Sequence, residues 1–301
     1  MFIIIEGADK TGKTTLSNAI VERFGCKYVH FGKPKKHPAT EYAEYALSTN
    51  ENLVLDRFYL GELVYGPLLR GKAGIDDVEF VTIERILRKK QAILIQTTTD
   101  VTLANKRLLV STQDEAVNTD QNSLAIKGFA EVGKHSNVQH HILYDGSTRQ
   151  NLADLLDRLE SLKDEVERNQ PKIQKLLSGI GTPIGKKIVL VGDTVNKNVT
   201  WLNLPFDRGV SSNFLLESLK DAGVPEKFVY ITNADKLTAQ EVDFLTRDQA
   251  LFIALGRNAD KKLKYLDIPH ESVGHPQFVK RFFWKSRGDY AKEFKSIIKG
   301  F

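Results

Sequence analysis

The chain has 301 residues, room for two domains at roughly 100–200 residues each, and its 41% hydrophobic and 27% charged content excludes a disordered, collagen-like or low-complexity chain. No apolar run approaches the ~20 residues that span a bilayer, the opening Met1–Glu6 lacks the basic region and cleavage site of a signal peptide, and the single cysteine, Cys26, excludes a disulfide framework, a cysteine-based zinc site and an iron–sulfur cluster, which fits a reducing cytoplasm. The net charge of +5 lies wholly in residues 184–301, where 19 basic side chains face 14 acidic ones; Lys280, Arg281, Lys285, Arg287, Lys292, Lys295 and Lys299 crowd the last stretch, as a polyanion contact or as a solvated helix face.

Phe2–Glu6 reads as a buried strand, followed by a glycine-rich turn and a helix from about Thr14 to Phe24. Lys33, Lys35 and Lys36 fall in a proline-rich loop, facing an acceptor phosphate, a DNA backbone or only solvent. Leu53–Asp56, Ala92–Gln96 and Val138–Tyr144 are further apolar strands, with a helical stretch at Asp77–Lys90. Asn151–Lys175 carries Leu152, Leu155, Leu156, Leu159, Leu162 and Val166 near the 3.6-residue period of a helix, and the turn-forming run Ser178–Gly185 follows it. The second half restarts with strands at Lys187–Val191, Phe228–Thr232 and Ala250–Leu255 and helices at Asn213–Ala222, Ala239–Arg247 and Gly288–Lys299. Strands alternating with helices predict an α/β fold: a P-loop domain with a parallel sheet over 1–163, a linker over 164–185 and a second α/β domain over 186–301.

Gly7-Ala8-Asp9-Lys10-Thr11-Gly12-Lys13-Thr14 matches G-x-x-x-x-G-K-[ST] between a strand and a helix, the context that gives this motif meaning. Its backbone N–H groups and the helix N-terminus suit phosphate. Lys13 is spaced to reach the terminal phosphates of ATP, and the Thr14 hydroxyl to ligate Mg²⁺.

This opening, together with Leu53-Val-Leu-Asp56-Arg57-Phe58-Tyr59, Glu62–Gly66 and Ile93-Leu-Ile-Gln96 leading to Ala104-Asn-Lys-Arg107, resembles the thymidylate kinases over about residues 1–160. The resemblance implies that Asp56 stands near Mg²⁺ and the acceptor, as base or as metal ligand. Arg57 would hold an anion of the acceptor, Phe58 and Tyr65 would pack on a pyrimidine, and Asp9 would face the acceptor sugar. A homodimer is implied as well. The family needs a cation on the migrating phosphoryl group. The expected lid, Leu108–Ile126, has no lysine or arginine and holds Asp114, Glu115 and Asp120, so that charge is assigned to Lys10, with Arg107 second.

In the second half, Ile188–Asp193, Leu204–Leu216 with Phe206, Val229–Ala234 with Asn233, Phe252–Gly256 and Gly274-His275-Pro-Gln277 resemble, in order and spacing, segments of the uracil-DNA glycosylase superfamily. The resemblance implies that Phe206 stacks on a flipped base, that Asn233 reads its edge and that His275 lies near the minor groove. The turn Gly192–Asn196 departs from the family's catalytic turn and Gln277 replaces its usual serine; Asp193 remains the candidate for activating water. The expectation is a DNA- and pyrimidine-recognising module without glycosylase activity.

A kinase joined to such a module resembles the viral 5-hydroxymethyluracil DNA kinases of phage thymidine hypermodification. That implies ATP-dependent phosphorylation of a hydroxymethyl group on uracil in DNA, in the host cytoplasm. The alternatives are a deoxynucleoside monophosphate kinase with a passenger domain, a glycosylase tethered to a nucleotide kinase, and a non-catalytic DNA-binding module.

Overall fold

A computed structural model describes residues 1–111, 117–194, 202–282 and 287–301. Asp114, Glu115, Asn196 and Lys285, named above, lie outside these. In chain order the elements are β1 (Phe2–Glu6), α1 (Lys13–Phe24), β2 (Lys27–His30), α2 (Pro38–Ser48), β3 (Leu53–Asp56), α3 (Leu60–Arg70), α4 (Asp77–Lys89), β4 (Ile93–Thr98), α5 (Val101–Leu109), α6 (Thr119–Lys134), β5 (His140–Asp145) and α7 (Arg149–Leu176). They continue with β6 (Ile180–Gly181), β7 (Lys187–Gly192), α8 (Val210–Ala222), β8 (Val229–Asn233), α9 (Ala239–Leu245), β9 (Ala250–Leu255), α10 (Arg257–Tyr265), β10 (His270–Val273), α11 (Pro276–Phe282) and α12 (Arg287–Ile298). The α/β class is as expected. No helix among the described residues is long and apolar enough to cross a membrane.

Residues 1–76 and 90–171 make one compact unit. Its sheet is parallel throughout, in the order β2-β3-β1-β4-β5. The β1 sequence, Phe-Ile-Ile-Ile-Glu, is buried at all five positions, as a central strand covered on both faces must be. Ile3 and Ile5 of β1, Ile93 and Ile95 of β4 and Ile142 of β5 pack against Leu16 and Ile20 of α1 and Leu155 and Leu159 of α7. Parallel pairing puts the C-terminal ends of β1, β3 and β4 side by side: Ile5 is abreast of Asp56, and Glu6 of Gln96. In open parallel sheets this is the edge where ligands bind.

The expected lid is helix over much of its second half. α6 begins at Thr119 behind a capping box, in which the Asn118 side chain accepts from the Gln121 N–H and the Gln121 side chain accepts from the Asn118 N–H. Asp120 therefore sits in the first turn of a helix, where a carboxylate complements the helix dipole.

The second unit comprises residues 172–301 together with 77–89, so α4 belongs to it although the chain on either side of α4 belongs to the first. A single linear division near 163 does not describe this arrangement, and the stretch expected as a linker, 164–185, is instead the end of α7 followed by β6. The sheet runs β10-β9-β7-β8-β6, parallel except for β6, which pairs antiparallel with β8. The turn formers at 178–185 misled because Gly181, at φ 116°, packs its Cα against the backbone of Val229 and Tyr230, where a side chain has no room.

Two buried arginines fasten α4. Arg85 donates through Nε and Nη2 to Glu226 at 2.6 and 3.0 Å, and Arg88, fully buried, donates to the same carboxylate at 2.9 Å. Lys89 donates to the Leu177 carbonyl at 2.6 Å, and Val78 and Val81 pack on Leu216. Removing one member of a buried charge cluster costs about 3–5 kcal/mol, because the remaining charges lose their partner. Glu226→Ala is expected to speed amide hydrogen exchange across α4 by roughly two orders of magnitude, as such a local destabilisation requires; unchanged exchange would show that the apolar contacts alone hold the helix.

Candidate functional site

The end of β1 opens into the phosphate loop. Gly7 has φ 149°, and a side chain there would run into Thr97 of β4. Gly12, at φ 97°, is the N-cap of α1 and no side chain caps that helix. Its first-turn N–H groups are therefore available to an anion. Under the loop, the Thr11 hydroxyl donates to the Ala8 carbonyl at 2.8 Å and lies 2.6 Å from the Thr97 hydroxyl. Lys13 folds back on the loop, donating to the carbonyls of Gly7 (3.0 Å) and Ala8 (2.6 Å), with Asp9 3.8 Å away. Burial holds its ammonium below the usual lysine range, against the pull of Asp9. Lys10, in the left-handed region at φ 62°, donates to the Ser111 hydroxyl at 2.9 Å, and Arg107 donates to the Lys10 carbonyl at 3.2 Å. Both cations assigned from the sequence thus attach to the loop, Arg107 by gripping its backbone.

Asp56 ends β3 and is 2% exposed. Its Oδ2 accepts from the Tyr28 hydroxyl at 3.0 Å and from Thr14 at 3.4 Å, and His30 Nδ1 is 3.7 Å away. Its Oδ1 is buried and has no hydrogen-bond partner among the described residues. A carboxylate whose Oδ2 lies beside a threonine hydroxyl is a hard-oxygen donor set. It fits Mg²⁺, which takes few protein ligands and completes its shell with water and phosphate; Thr14 and Asp56 are the residues that would hold it.

Arg57, at φ 69°, follows immediately and donates to Asp9 Oδ1 at 2.8 Å. Burial, then the charge of Asp9, pushes the Tyr65 phenol far above its ordinary value, so Tyr65, Asp9 and Arg57 form one group. Phe58 is a correction. It is 2% exposed, ringed by Phe2, Phe31, Tyr42 and Tyr59 at centroid distances of 6.4, 5.1, 4.8 and 6.0 Å, and presents no face to a base. The half-buried Phe31 and Tyr45, edge to face at 4.9 Å, are the aromatic groups of that cluster with surface to offer. Of the loop lysines, Lys36 is paired with Glu44, and the Lys35 N–H is held by Glu41.

In the second unit, β7, β8 and β9 end level: Gly192 is abreast of Asn233 and of Leu255. A Cβ on Gly192 would come within 2.6 Å of Asn233 Oδ1 and 2.8 Å of the Phe206 ring, so both side chains press against the glycine. The Phe206 ring lies 6.0 Å from the His275 ring. Asn233 is 2% exposed and its Nδ2 has no hydrogen-bond partner among the described residues. Burial holds the His275 imidazole below its ordinary value, and its Nδ1 accepts the Gln277 N–H at 3.3 Å. Phe206, Asn233 and His275 are thus brought together. Asp193 is diverted, since its Oδ1 accepts the N–H groups of Asn258 (3.0 Å) and Ala259 (2.9 Å) at the start of α10, as a helix cap does. The basic C-terminal stretch is partly neutralised: Arg287 pairs with Asp221 and Glu217, and Lys292 with Asp289.

Sequence reasoning missed Tyr28, His30 and Glu6. Tyr28 and His30 alternate on β2, a short, exposed edge strand whose Lys-Tyr-Val-His sequence has little apolar signal. Glu6 was read as the end of a strand. Its Oε1 accepts the N–H groups of Phe58 (3.0 Å) and Leu60 (2.8 Å), fixing the turn that carries Arg57.

No protein-family model and no curated protein matches this chain. Among solved structures it is similar to the YorR protein of Bacillus subtilis in complex with phosphorylated GDP, at 20% identity and TM-score 0.46 over 56% of this chain and 98% of that one. It is also similar to deoxyadenosine kinase from M. mycoides with bound dCTP, at 19% identity and TM-score 0.37 over 54% and 100%. The same enzyme with bound dATP gives 18% identity and TM-score 0.37 over 53% and 100%.

Burial raises the Glu6 carboxyl to about 7, from 4.5, in spite of its backbone donors and Lys13. The folded chain therefore binds this proton more tightly than the unfolded chain, and the carboxyl's contribution to stability falls as pH rises between those values. Glu6→Gln keeps the acceptor oxygen and removes the titration. The stability of the variant relative to the parent is expected to climb by up to about 3 kcal/mol from pH 4.5 to pH 7 in urea denaturation; a constant difference across that range would show that Glu6 does not titrate there.

Proposed function

We propose that this chain is an ATP-dependent phosphotransferase whose acceptor is a hydroxymethyl group on a uracil base within DNA. The observation that carries the phosphotransferase reading is the Asp56 carboxylate, its Oδ2 3.4 Å from the Thr14 hydroxyl, at the mouth of an uncapped P-loop helix. In this reading the loop N–H groups and the N-terminus of α1 bind the ATP phosphates, and Lys13 leaves the carbonyls of Gly7 and Ala8 for the β- and γ-phosphates. Lys10 gives up Ser111 to bear on the migrating phosphoryl group. Mg²⁺ supplies charge neutralisation and orientation of the phosphates. The acceptor hydroxyl oxygen bonds to the γ-phosphorus as the bond to the ADP oxygen breaks, and the hydroxyl proton leaves to solvent or a nearby base. The product, phosphomethyluracil, carries a leaving group on a benzylic-type carbon, suited to later substitution.

The DNA part of the proposal rests on the second unit. A buried amide nitrogen without a partner is costly unless something supplies an acceptor. Asn233, through its Oδ1, and the Phe206 ring close on the same Gly192, an arrangement that suits a flipped base with a carbonyl on its edge for the unpaired Nδ2. A second reading, a deoxynucleoside monophosphate kinase, is favoured by Arg57, whose guanidinium is held by Asp9 yet 40% exposed, a fork suited to a terminal phosphate.

Incubation with γ-labelled ATP and a panel of dTMP, hydroxymethyl-dUMP, plain duplex and hydroxymethyluracil duplex separates the readings. Label confined to the last is expected; label in free nucleotides would establish the second reading, and abasic sites in uracil DNA would revive the glycosylase. Lys13→Met and Asp56→Asn are each expected to lower turnover by at least about 10²-fold, the scale of losing a group that stabilises developing charge. Asn233→Ala is expected to weaken binding of the modified duplex by about 10-fold while leaving the rate at saturation unchanged, as the loss of one base contact of ~1–3 kcal/mol requires.

A further inference from the structure

Lys10 stands in the left-handed region at φ 62°, where the Cβ of any residue but glycine crowds the following carbonyl oxygen. The conformation is useful, because a left-handed residue among right-handed ones turns successive N–H groups toward one anion. Gly12, at φ 97°, reaches the left-handed region without a side chain. Lys10 needs support from outside the loop, and the end of α5 and the chain just beyond it supply it at two points. Arg107 Nη1 donates to the Lys10 carbonyl at 3.2 Å, and the Ser111 hydroxyl accepts from the Lys10 ammonium at 2.9 Å. α5 is itself fastened to α6, since the Asn105 side chain donates to the Ser123 hydroxyl at 2.8 Å and accepts from the Asn122 amide at 3.3 Å.

These bonds differ in what phosphoryl transfer does to them. In the proposed function the Lys13 ammonium leaves the carbonyls of Gly7 and Ala8 for the phosphates, and the Lys10 ammonium leaves Ser111. Both lysine side chains are then committed to ATP and no longer hold the loop. The Arg107 bond is made to backbone, comes from a separate element and is not asked to break. A bond from a guanidinium to a carbonyl is charge-assisted, and stronger than one between neutral groups. Arg107 is half-buried, and turning it to the migrating phosphoryl group would release the strained residue at the moment its ammonium has to be aimed.

We infer that Arg107 is a positioning residue, which holds the Lys10 backbone in the left-handed conformation and so keeps the Lys10 ammonium aimed at the migrating phosphoryl group. This rests on the phosphotransferase reading of the first unit. It also separates the two cations: Lys10 supplies charge to the transferring group, and Arg107 supplies the geometry from which Lys10 reaches it.

The test is a double-mutant cycle on the full chain, read as transfer of label from γ-labelled ATP to whichever acceptor the parent phosphorylates fastest. Arg107→Met is expected to lower kcat/KM for ATP by about 10²-fold, the scale at which misplacing a reacting group costs rate, and to leave the KM for the acceptor unchanged. Lys10→Gly lowers kcat/KM by at least about 10²-fold, because the ammonium is gone. Adding Arg107→Met to Lys10→Gly lowers it no further, since glycine adopts the left-handed region unaided and no ammonium is left to aim. Arg107→Gln, an uncharged donor, retains more activity than Arg107→Met. A general weakening of α5, or a charge that Arg107 itself brings to the phosphates, slows both backgrounds alike. Losses that multiply therefore overturn the inference while leaving the phosphotransferase intact, as do parental activity in Arg107→Met and equal losses in Arg107→Gln and Arg107→Met. Failure of the parent chain to transfer label to any acceptor overturns both.

Discussion

At the C-terminal end of β1 the Glu6 carboxylate accepts the N–H groups of Phe58 and Leu60, and the geometry of the phosphate-loop site follows from that anchor. It ties the central strand to the turn leaving β3, and on that turn Arg57 is held in the left-handed region between Asp56 and Phe58. Without an acceptor for those two donors, the strained turn would have no reason to stay in place. The Arg57 N–H is taken by the Ile5 carbonyl at 2.9 Å, so the residues just before the phosphate loop and the residues carrying the candidate catalytic pair form one hydrogen-bonded assembly. Burying a carboxylate there is unfavourable, as the raised Glu6 titration shows.

The two units solve a similar problem by similar means. In each, a central parallel strand meets a glycine at its C-terminal end, Gly7 after β1 and Gly192 in β7, and in each the missing side chain lets neighbouring strands bring polar groups against the backbone. Thr97 closes on Gly7, and Asn233 with Phe206 on Gly192. At each edge a residue that ends a strand carries a buried polar atom without a hydrogen-bond partner among the described residues, Oδ1 of Asp56 and Nδ2 of Asn233. Buried polar groups are ordinarily satisfied, and these two, among several such atoms in the described residues, belong to the residues that end β3 and β8. Their chemistry differs: an anionic oxygen asks for a cation, and an amide hydrogen for a carbonyl.

How far the sequence could be read depended on whether a signal was local. The phosphate loop was legible because the spacing of Gly7, Gly12, Lys13 and Thr14 is itself the chemistry, and β3 was legible as Leu53–Asp56 because four apolar or terminal positions sufficed. β2 was not legible, since an edge strand of four mostly exposed residues carries no hydrophobic period, and with it Tyr28 and His30 were lost. Phe58 was misassigned because a ring near a ligand and a ring in a core look alike in one dimension; only its four aromatic neighbours distinguish them. Asp193 was misread for the complementary reason, a carboxylate after a strand being equally suited to water or to the N–H groups of a helix 65 residues further on. α4 was recognised as a helix, but nothing in its sequence says that its buried Arg85 and Arg88 answer Glu226, some 140 residues downstream.

That last pairing bears on how the gene can be dissected. Because the second unit borrows a helix from the middle of the stretch that otherwise builds the first, no one cleavage point releases either half whole. A C-terminal fragment starting near residue 172 would bare the surface of Leu216 and leave Glu226 without its guanidiniums, while an N-terminal fragment ending near 171 would carry α4 as an amphipathic orphan with two arginines and an apolar stripe turned to water. Separate domains would have to be made by deleting 77–89 from one fragment and grafting it onto the other.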